Sequence, residues 1–198
     1  MNVNRSTKSF ADYSLRLITA INSINTAEWD SAAKMLHPAW ENRTQVFICG
    51  NGGSSSTASH LMTDWTKGLY TLTGRSMCVN SLTDNQSLMT ALGNDLSYEE
   101  VFRKQVEMRG ERGNLLVLIS GSGMSQNILK VAEYANANSM KVISLTGFDG
   151  GELRKFTDLM ANVPVENMQI TEDIHLSFGH FVLEYIYGIW LENGLTDG

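Results

Sequence analysis

Residues 46–56 read VFICGNGGSSS, in which an apolar run enters a turn rich in glycine and serine and a helical pattern follows from Ser54. We interpret this stretch as a strand, a tight turn and a helix. Glycine permits backbone angles that other residues resist, and it lets a ligand approach the main chain closely. The free N–H groups and positive dipole end of a helix start suit phosphate. The turn alone fits an ordinary strand-to-helix connection of an α/β sheet equally well.

A second segment of the same kind favours the phosphate interpretation. Residues 115–127 read LLVLISGSGMSQN, again a β-favouring run that ends in glycine and serine before a helical pattern. Open α/β sheets bind ligands at the carboxyl ends of their strands, so the two loops together predict one anion site. No lysine follows the glycines as in a P-loop, and the dinucleotide-binding spacing is absent. A nucleotide loop is therefore not predicted.

Apolar runs alternate with helical patterns along the whole chain. Strands are predicted at residues 45–49, 76–82, 115–119, 141–145 and 159–163, the last an edge strand that ends at Pro164. Strands that alternate with helices predict an α/β fold, a doubly wound, flavodoxin-like parallel sheet of about five strands flanked by helices.

We expect residues 1–198 to form a single domain, with an N-terminal helical segment at 1–40 and an α/β core at 41–198. The N-terminal segment reads as two helices between Phe10 and Leu36, with Thr26 as the cap of the second. Asp84 is the predicted cap of a later helix. The final helix is predicted from about Asp173 to Leu191.

Composition excludes several classes of function. The net charge of −6 and pI of about 5.2 argue against a nucleic-acid partner, which usually meets a basic surface. A local phosphate site made of neutral donors stays compatible with this charge. The two cysteines, Cys49 and Cys78, lie in apolar runs and read as core residues. No apolar stretch approaches the roughly 18 residues of a membrane span, and the start lacks a signal-peptide core. We therefore expect a cytoplasmic protein without a membrane partner.

One further pair of residues could bind a metal ion. His60 and Asp64 stand four residues apart and therefore share one face of the helix that follows the first turn. Such a pair can share a metal ion. It can equally form a plain surface hydrogen bond, and the residues alone favour that simpler reading.

Taken together, these motifs resemble the SIS (sugar isomerase) domain and, within it, the bacterial phosphoheptose isomerases. The resemblance rests on the two loops, His60, residues 90–95 (TALGND), residues 145–151 (LTGFDGG) and the segment from His175 to His180, and it keeps motif order over nearly the whole chain. It implies an aldose–ketose isomerase that converts sedoheptulose 7-phosphate to D-glycero-D-manno-heptose 7-phosphate. It also implies a homotetramer with N-terminal helices packed between subunits.

The resemblance also implies which residues form the site. One Zn²⁺ per subunit would be held by His60, Asp64, Glu172 and His180, and the last three of these would be catalytic. The sugar phosphate would be bound by the motif-matched residues of the loops and of the TALGND segment, which are Asn51, Gly52, Gly53, Ser54, Asn94, Asp95, Ser120, Gly121, Ser122 and Ser125.

Two of the four metal positions depart from the family pattern. Asp64 stands where the family has Glu, and its carboxylate is shorter by about 1.5 Å. Glu172 stands where the family has Gln, and its added charge should strengthen cation binding. We hypothesise that Glu172 partly takes over as the catalytic base.

The spacing of these residues raises a geometric question. If residues 172–180 were one helix, Glu172 and His180 would lie about 12 Å apart along its axis. Either the helix begins after Glu172 with a bent entry, or one ligand comes from another subunit. His175 is a fallback ligand to which we assign a structural role. Gly68 stands where the family has a substrate-binding arginine, and Arg75 lies near, but not at, a second basic position of the family. The identity of the sugar phosphate is therefore left open.

Two alternatives remain open at this point. One is an SIS isomerase for another sugar phosphate. The other is a non-catalytic SIS protein that binds a sugar phosphate or a replication-initiator protein. His60 and His180 favour catalysis, whereas Asp64 and Glu172 weigh against a standard metal site.

Overall fold

The computed structural model describes residues 7–194 and contains one five-stranded sheet in its described part. The strands are β1 (Val46–Gly50), β2 (Val79–Ser81), β3 (Leu115–Ser120), β4 (Lys141–Gly147) and β5 (Leu159–Val163). All neighbours pair in parallel, in the order β2-β1-β3-β4-β5. This order confirms the predicted doubly wound sheet, and it reverses between β1 and β3, where such folds bind ligands.

Eight α-helices surround the sheet in the described part of the chain. They are α1 (Phe10–Asn22), α2 (Thr26–Glu41), α3 (Gly53–Thr63), α4 (Leu69–Thr73), α5 (Gln86–Asp95), α6 (Val101–Arg109), α7 (Gln126–Ala137) and α8 (Met168–Glu192). A π-helix (Asp64–Gly68) joins α3 to α4, and 3₁₀ turns occupy Tyr98–Glu100 and Glu152–Phe156. None of the helices within 7–194 combines the length and apolarity needed to span a bilayer.

Both faces of the sheet are covered, which explains the almost unbroken apolar runs of its central strands. On one face Ile48 of β1 belongs to the core formed with α2, α3 and α8, which includes Trp65 and Phe178. On the other face Phe47 packs with α6 and α7, where Phe102 is fully buried. Successive residues of β1 thus pack against helices on opposite faces of the sheet, and the loop after β1 lies between these helices.

Two predicted helix caps were wrong. Thr26 is the first residue of α2 and Asn25 precedes it as the cap position. At α5 the cap is Asn85, whose side chain accepts from the Leu88 N–H at 3.0 Å, and not Asp84.

Helix α8 starts at Met168, five residues before its predicted start. The side chain of Asn167 caps it by accepting from the Ile170 N–H at 3.1 Å. The helix is therefore continuous through Glu172, which contradicts the first of the two alternatives, a bent entry after that residue.

Candidate active site

The two glycine- and serine-rich loops meet where the strand order reverses. Because Gly50 pairs with Ile119 in parallel strands, the loops after β1 and β3 leave the sheet side by side. They enclose a cavity of about 290 Å³. Its lining contains eight of the ten predicted substrate-binding residues: Asn51, Gly52, Gly53, Ser54, Ser120, Gly121, Ser122 and Ser125. Ile119, Met168 and Glu172 complete it.

The donors at this cavity are neutral. Helix α3 starts at Gly53 directly after Gly52, whose φ of 56° is readily adopted only by glycine. Helix α7 starts after Ser125, whose side chain does not cap it. Two helix N-termini therefore open onto one cavity, which is a suitable environment for an anion. The Ser122 hydroxyl oxygen accepts from the Met124 N–H at 3.3 Å, which leaves its proton free to donate.

Glu172 supplies the one carboxylate of the cavity lining. It projects from α8 onto the start of α3, so closely that a Cβ added at Gly53 would lie 2.6 Å from both carboxylate oxygens. A side chain at position 53 would displace this carboxylate from its present position. A carboxylate next to a helix N-terminus is stabilised by the dipole of that helix.

A histidine–aspartate cluster lies further along α3 and α8. The His60 Nε2 atom lies 3.2 Å from His180 Nε2 and 3.1 Å from Asp64 Oδ2, and His180 Nε2 lies 3.4 Å from the same oxygen. In a tetrahedral zinc site with bonds of about 2.0–2.1 Å, two ligand atoms lie roughly 3.3 Å apart. The three donors therefore have the chemistry and the mutual spacing of one zinc site, and all three are accessible from solvent.

Close packing of the two helices brings this cluster together. A Cβ on Gly179 would lie 1.8 Å from Leu61 Cδ2, so the backbone of α8 touches the α3 side chain next to His60. The Trp65 Nε1–H donates to the Gly179 carbonyl at 2.9 Å. The π-helix begins at Asp64, and single π turns of this kind are frequent at functional sites.

The structure does not bring every predicted site residue together within one chain. Glu172 and His180 lie on one helix, about 12 Å apart along its axis, and Glu172 is not part of the cluster of His60, Asp64 and His180. Asn94 and Asp95 end α5, where they hydrogen-bond to each other at 2.8 Å, and they do not line the cavity. Their substrate contact stays a prediction.

Two other candidates have structural surroundings. His175 is fully buried, its Nε2 lies 3.0 Å from the Thr146 carbonyl, and burial lowers its pKa to about 4. This matches the structural role assigned to it. Arg75 donates to the Glu41 carbonyl at 3.1 Å and stacks over Trp40, so it fastens the end of α2.

Sequence reasoning missed one residue that lines the cavity and two that hydrogen-bond to Asn51 beside it. Met168 lines it, Asn127 bonds to Asn51, and Tyr98 donates its hydroxyl proton to the same Asn51. Asn127 follows the serine loop by two residues, and that position was its only signal. Tyr98 and Met168 are distant in sequence from both loops and left no local signal.

Comparison with known proteins confirms the resemblance inferred from the motifs. The sequence model of the SIS domain matches residues 9–147. The chain is 40% identical over 146 residues to the phosphoheptose isomerase of Helicobacter pylori strain HPAG1, covering 74% of this chain and 76% of the relative. It is 34% identical over 176 residues to the phosphoheptose isomerase of Chlorobium phaeobacteroides, covering 88% of this chain and 78% of the relative.

Solved structures agree with these relatives. The phosphoheptose isomerase of Neisseria gonorrhoeae superposes with a TM-score of 0.81 at 31% identity, covering 89% of this chain and 96% of that one. A phosphoheptose isomerase from Francisella tularensis superposes with a TM-score of 0.84 at 29% identity, covering 95% of this chain and 100% of that one.

Proposed function

Because the chain belongs to the SIS-domain family and, within it, to the phosphoheptose isomerases, we propose that it converts sedoheptulose 7-phosphate to D-glycero-D-manno-heptose 7-phosphate. The observation that carries this proposal is the pairing of two features on the same two helices. An anion cavity lies at the start of α3, and a zinc-like cluster of His60, Asp64 and His180 lies two turns further along.

The reaction requires three things of the site. An aldose–ketose isomerase must hold the phosphate, polarise a carbonyl and move a proton between adjacent carbons. The helix N-termini and the hydroxyls of Ser54, Ser120, Ser122 and Ser125 are placed to hold the phosphate. These donors are neutral, so the phosphate brings its negative charge into a site that already contains the Glu172 carboxylate.

The remaining site residues supply the metal ligands and the groups that transfer the proton. We assign His60, Asp64 and His180 to Zn²⁺, one ion per subunit, because the spacing of their donor atoms fits that ion. When bound, zinc would polarise the substrate carbonyl as a Lewis acid. Glu172 lines the sugar-phosphate cavity, about 12 Å along α8 from His180, so it would act as a base on carbons held in that cavity, whereas Asp64 and His180 would be the proton-transfer groups next to a carbonyl held at the cluster.

The subunit arrangement and location are also proposals. One side of α1 exposes large apolar side chains: Phe10, Leu15, Ile18 and Ile21. We propose that this face packs against other subunits of a homotetramer, which sedimentation analysis would test. We further propose that the enzyme works in the cytoplasm, which fractionation of cells that produce it would test.

The role of Glu172 can be tested with a conservative substitution. Glu172→Gln keeps the size of the side chain and removes the base, so turnover of sedoheptulose 7-phosphate should fall by a factor of about 10² or more. Glu133→Gln, at an exposed position two turns into α7, is the matched control and should leave turnover unchanged. A Glu172→Gln variant with unchanged or increased turnover would rule out this assignment.

A further inference from the structure

The loop after β1 and the first turn of α7 are joined by a pair of side-chain amides. Asn51 Nδ2 donates to Asn127 Oδ1 at 2.9 Å, and Asn127 Nδ2 donates back to Asn51 Oδ1 at 2.9 Å. Asn127 is buried, with 3% of its surface exposed. Two reciprocal bonds fix both the separation and the relative orientation of the two amide planes, which one bond would not do.

A tyrosine completes this arrangement. Tyr98 donates its hydroxyl proton to Asn51 Oδ1 at 2.8 Å, so that oxygen accepts two hydrogen bonds and has no further lone pair to offer. The 3₁₀ turn that carries Tyr98 is itself tied to α7, since Lys130 lies 2.8 Å from Glu99 and 2.9 Å from Glu100. The Asn51 carbonyl group is therefore occupied by the protein, while the second amide N–H of Asn51 remains for the predicted substrate contact, which stays a prediction.

This pair lies between the two sets of donors that face the cavity. Asn51 directly precedes Gly52 and Gly53 at the start of α3, and Asn127 follows Ser125 by two residues at the start of α7. A phosphate group can accept from both helix starts only if the distance between them is held fixed. We propose that Asn127 is a positioning residue, which locks the β1 loop onto α7 so that both helix N-termini reach one phosphate group.

The proposal rests on the proposed function only for the identity of the anion, and two variants test it. Asn127→Ala removes both reciprocal bonds. Asn127→Asp keeps the shape but places a second oxygen against Asn51 Oδ1. We expect the Kd for inorganic phosphate and the KM for sedoheptulose 7-phosphate to rise about 10-fold in Asn127→Ala and further in Asn127→Asp. The kcat should change less than about 3-fold, because the proton-transfer groups stay in place.

A matched control lies on the same helix. Asn136 also donates an amide N–H, to the Phe156 carbonyl at 2.9 Å, but it lies at the far end of α7 from the cavity. Asn136→Ala should lose a comparable hydrogen bond and leave the phosphate Kd, KM and zinc content unchanged. Zinc content should also be unchanged in both Asn127 variants, because His60, Asp64 and His180 lie outside the cavity.

The outcomes separate this proposal from the proposed function. Unchanged phosphate binding and KM in a folded Asn127→Ala variant would overturn the positioning role, as would a loss confined to kcat. If the native protein binds phosphate without isomerising the heptose phosphate, and Asn127→Ala still weakens that binding, the positioning role stands and the proposed function fails. If both Asn127 variants fail to fold, Tyr98→Phe removes one hydroxyl from an exposed side chain and should raise the phosphate Kd about 2- to 3-fold. An unchanged Kd there would refute the proposal.

Discussion

Lowering the pH from 7.5 to 5.0 should destabilise the protein through His175. Its ring is fully buried among α8 and β4, with Nε2 bonded to the Thr146 carbonyl and Nδ1 without a hydrogen-bond partner in the described structure. Burial lowers the pKa of His175 from 6.5 to about 4. Between these two values the unfolded chain takes up a proton that the folded chain does not.

The sign and size of the effect follow from this difference. Above pH 6.5 the lowered pKa costs no stability; below it, the free energy of unfolding falls as the pH drops and levels off below about pH 4. At pH 5.0, proton uptake by the unfolded chain multiplies the unfolding equilibrium constant by about 30. This corresponds to a loss of about 2 kcal/mol in the free energy of unfolding.

Urea unfolding at the two pH values measures this loss. A chelator should be present in all samples, so that release of a metal from His60 and His180 does not contribute. His175→Gln, which cannot take up the proton, is the comparison variant, and other titrating groups cancel between the two proteins. We expect the native protein to lose about 2 kcal/mol more than His175→Gln between pH 7.5 and 5.0. Equal losses in the two proteins would show that protonation of His175 does not cause the loss of stability.

Three further substitutions test the geometry of the site. Asp64→Ala removes one of the three clustered donors and should weaken zinc binding by a factor of at least about 100 in competition with a chelator; unchanged affinity would contradict the assigned site. Gly53→Ala places a Cβ where the Glu172 carboxylate lies, and should lower turnover by roughly 10- to 100-fold in a protein that still folds; native turnover would show that this carboxylate position is unimportant. Gly179→Ala forces a Cβ against Leu61 and should lower the free energy of unfolding in urea by about 1–3 kcal/mol. Gly188→Ala lies on the same helix, has open space at that position and should not lower it. Equal effects of the two substitutions would contradict the close packing of α3 and α8.

The sheet could be predicted because its signal is local. The central strands are apolar throughout, and the loops after β1 and β3 carry the glycines and serines that a ligand site at the strand reversal needs. The two loops predicted one anion site, and the family resemblance of their motifs named the eight loop residues that line the cavity. Helix caps were less predictable, because Asn25 and Asn85 stand beside Thr26 and Asp84, which are equally good capping residues.

The features that sequence reasoning missed depend on contacts between distant segments. The π-helix from Asp64 to Gly68 lies against α8, where a Cβ on Gly68 would meet Leu183, and no periodicity marks it beforehand. The spacing of Glu172 and His180 already raised the question of their separation, and only the continuous helix α8 answers it. The Asn51–Asn127 pair joins residues 76 positions apart, so only the fold reveals it.

Zinc-dependent turnover of sedoheptulose 7-phosphate is the most direct test of the proposed enzyme. The purified protein should be assayed as isolated, after chelation, and after zinc is added back, with metal content measured in each sample. We expect formation of D-glycero-D-manno-heptose 7-phosphate that is lost on chelation and restored by about one zinc ion per subunit. Absence of the product from a protein that holds zinc at His60, Asp64 and His180 would contradict it.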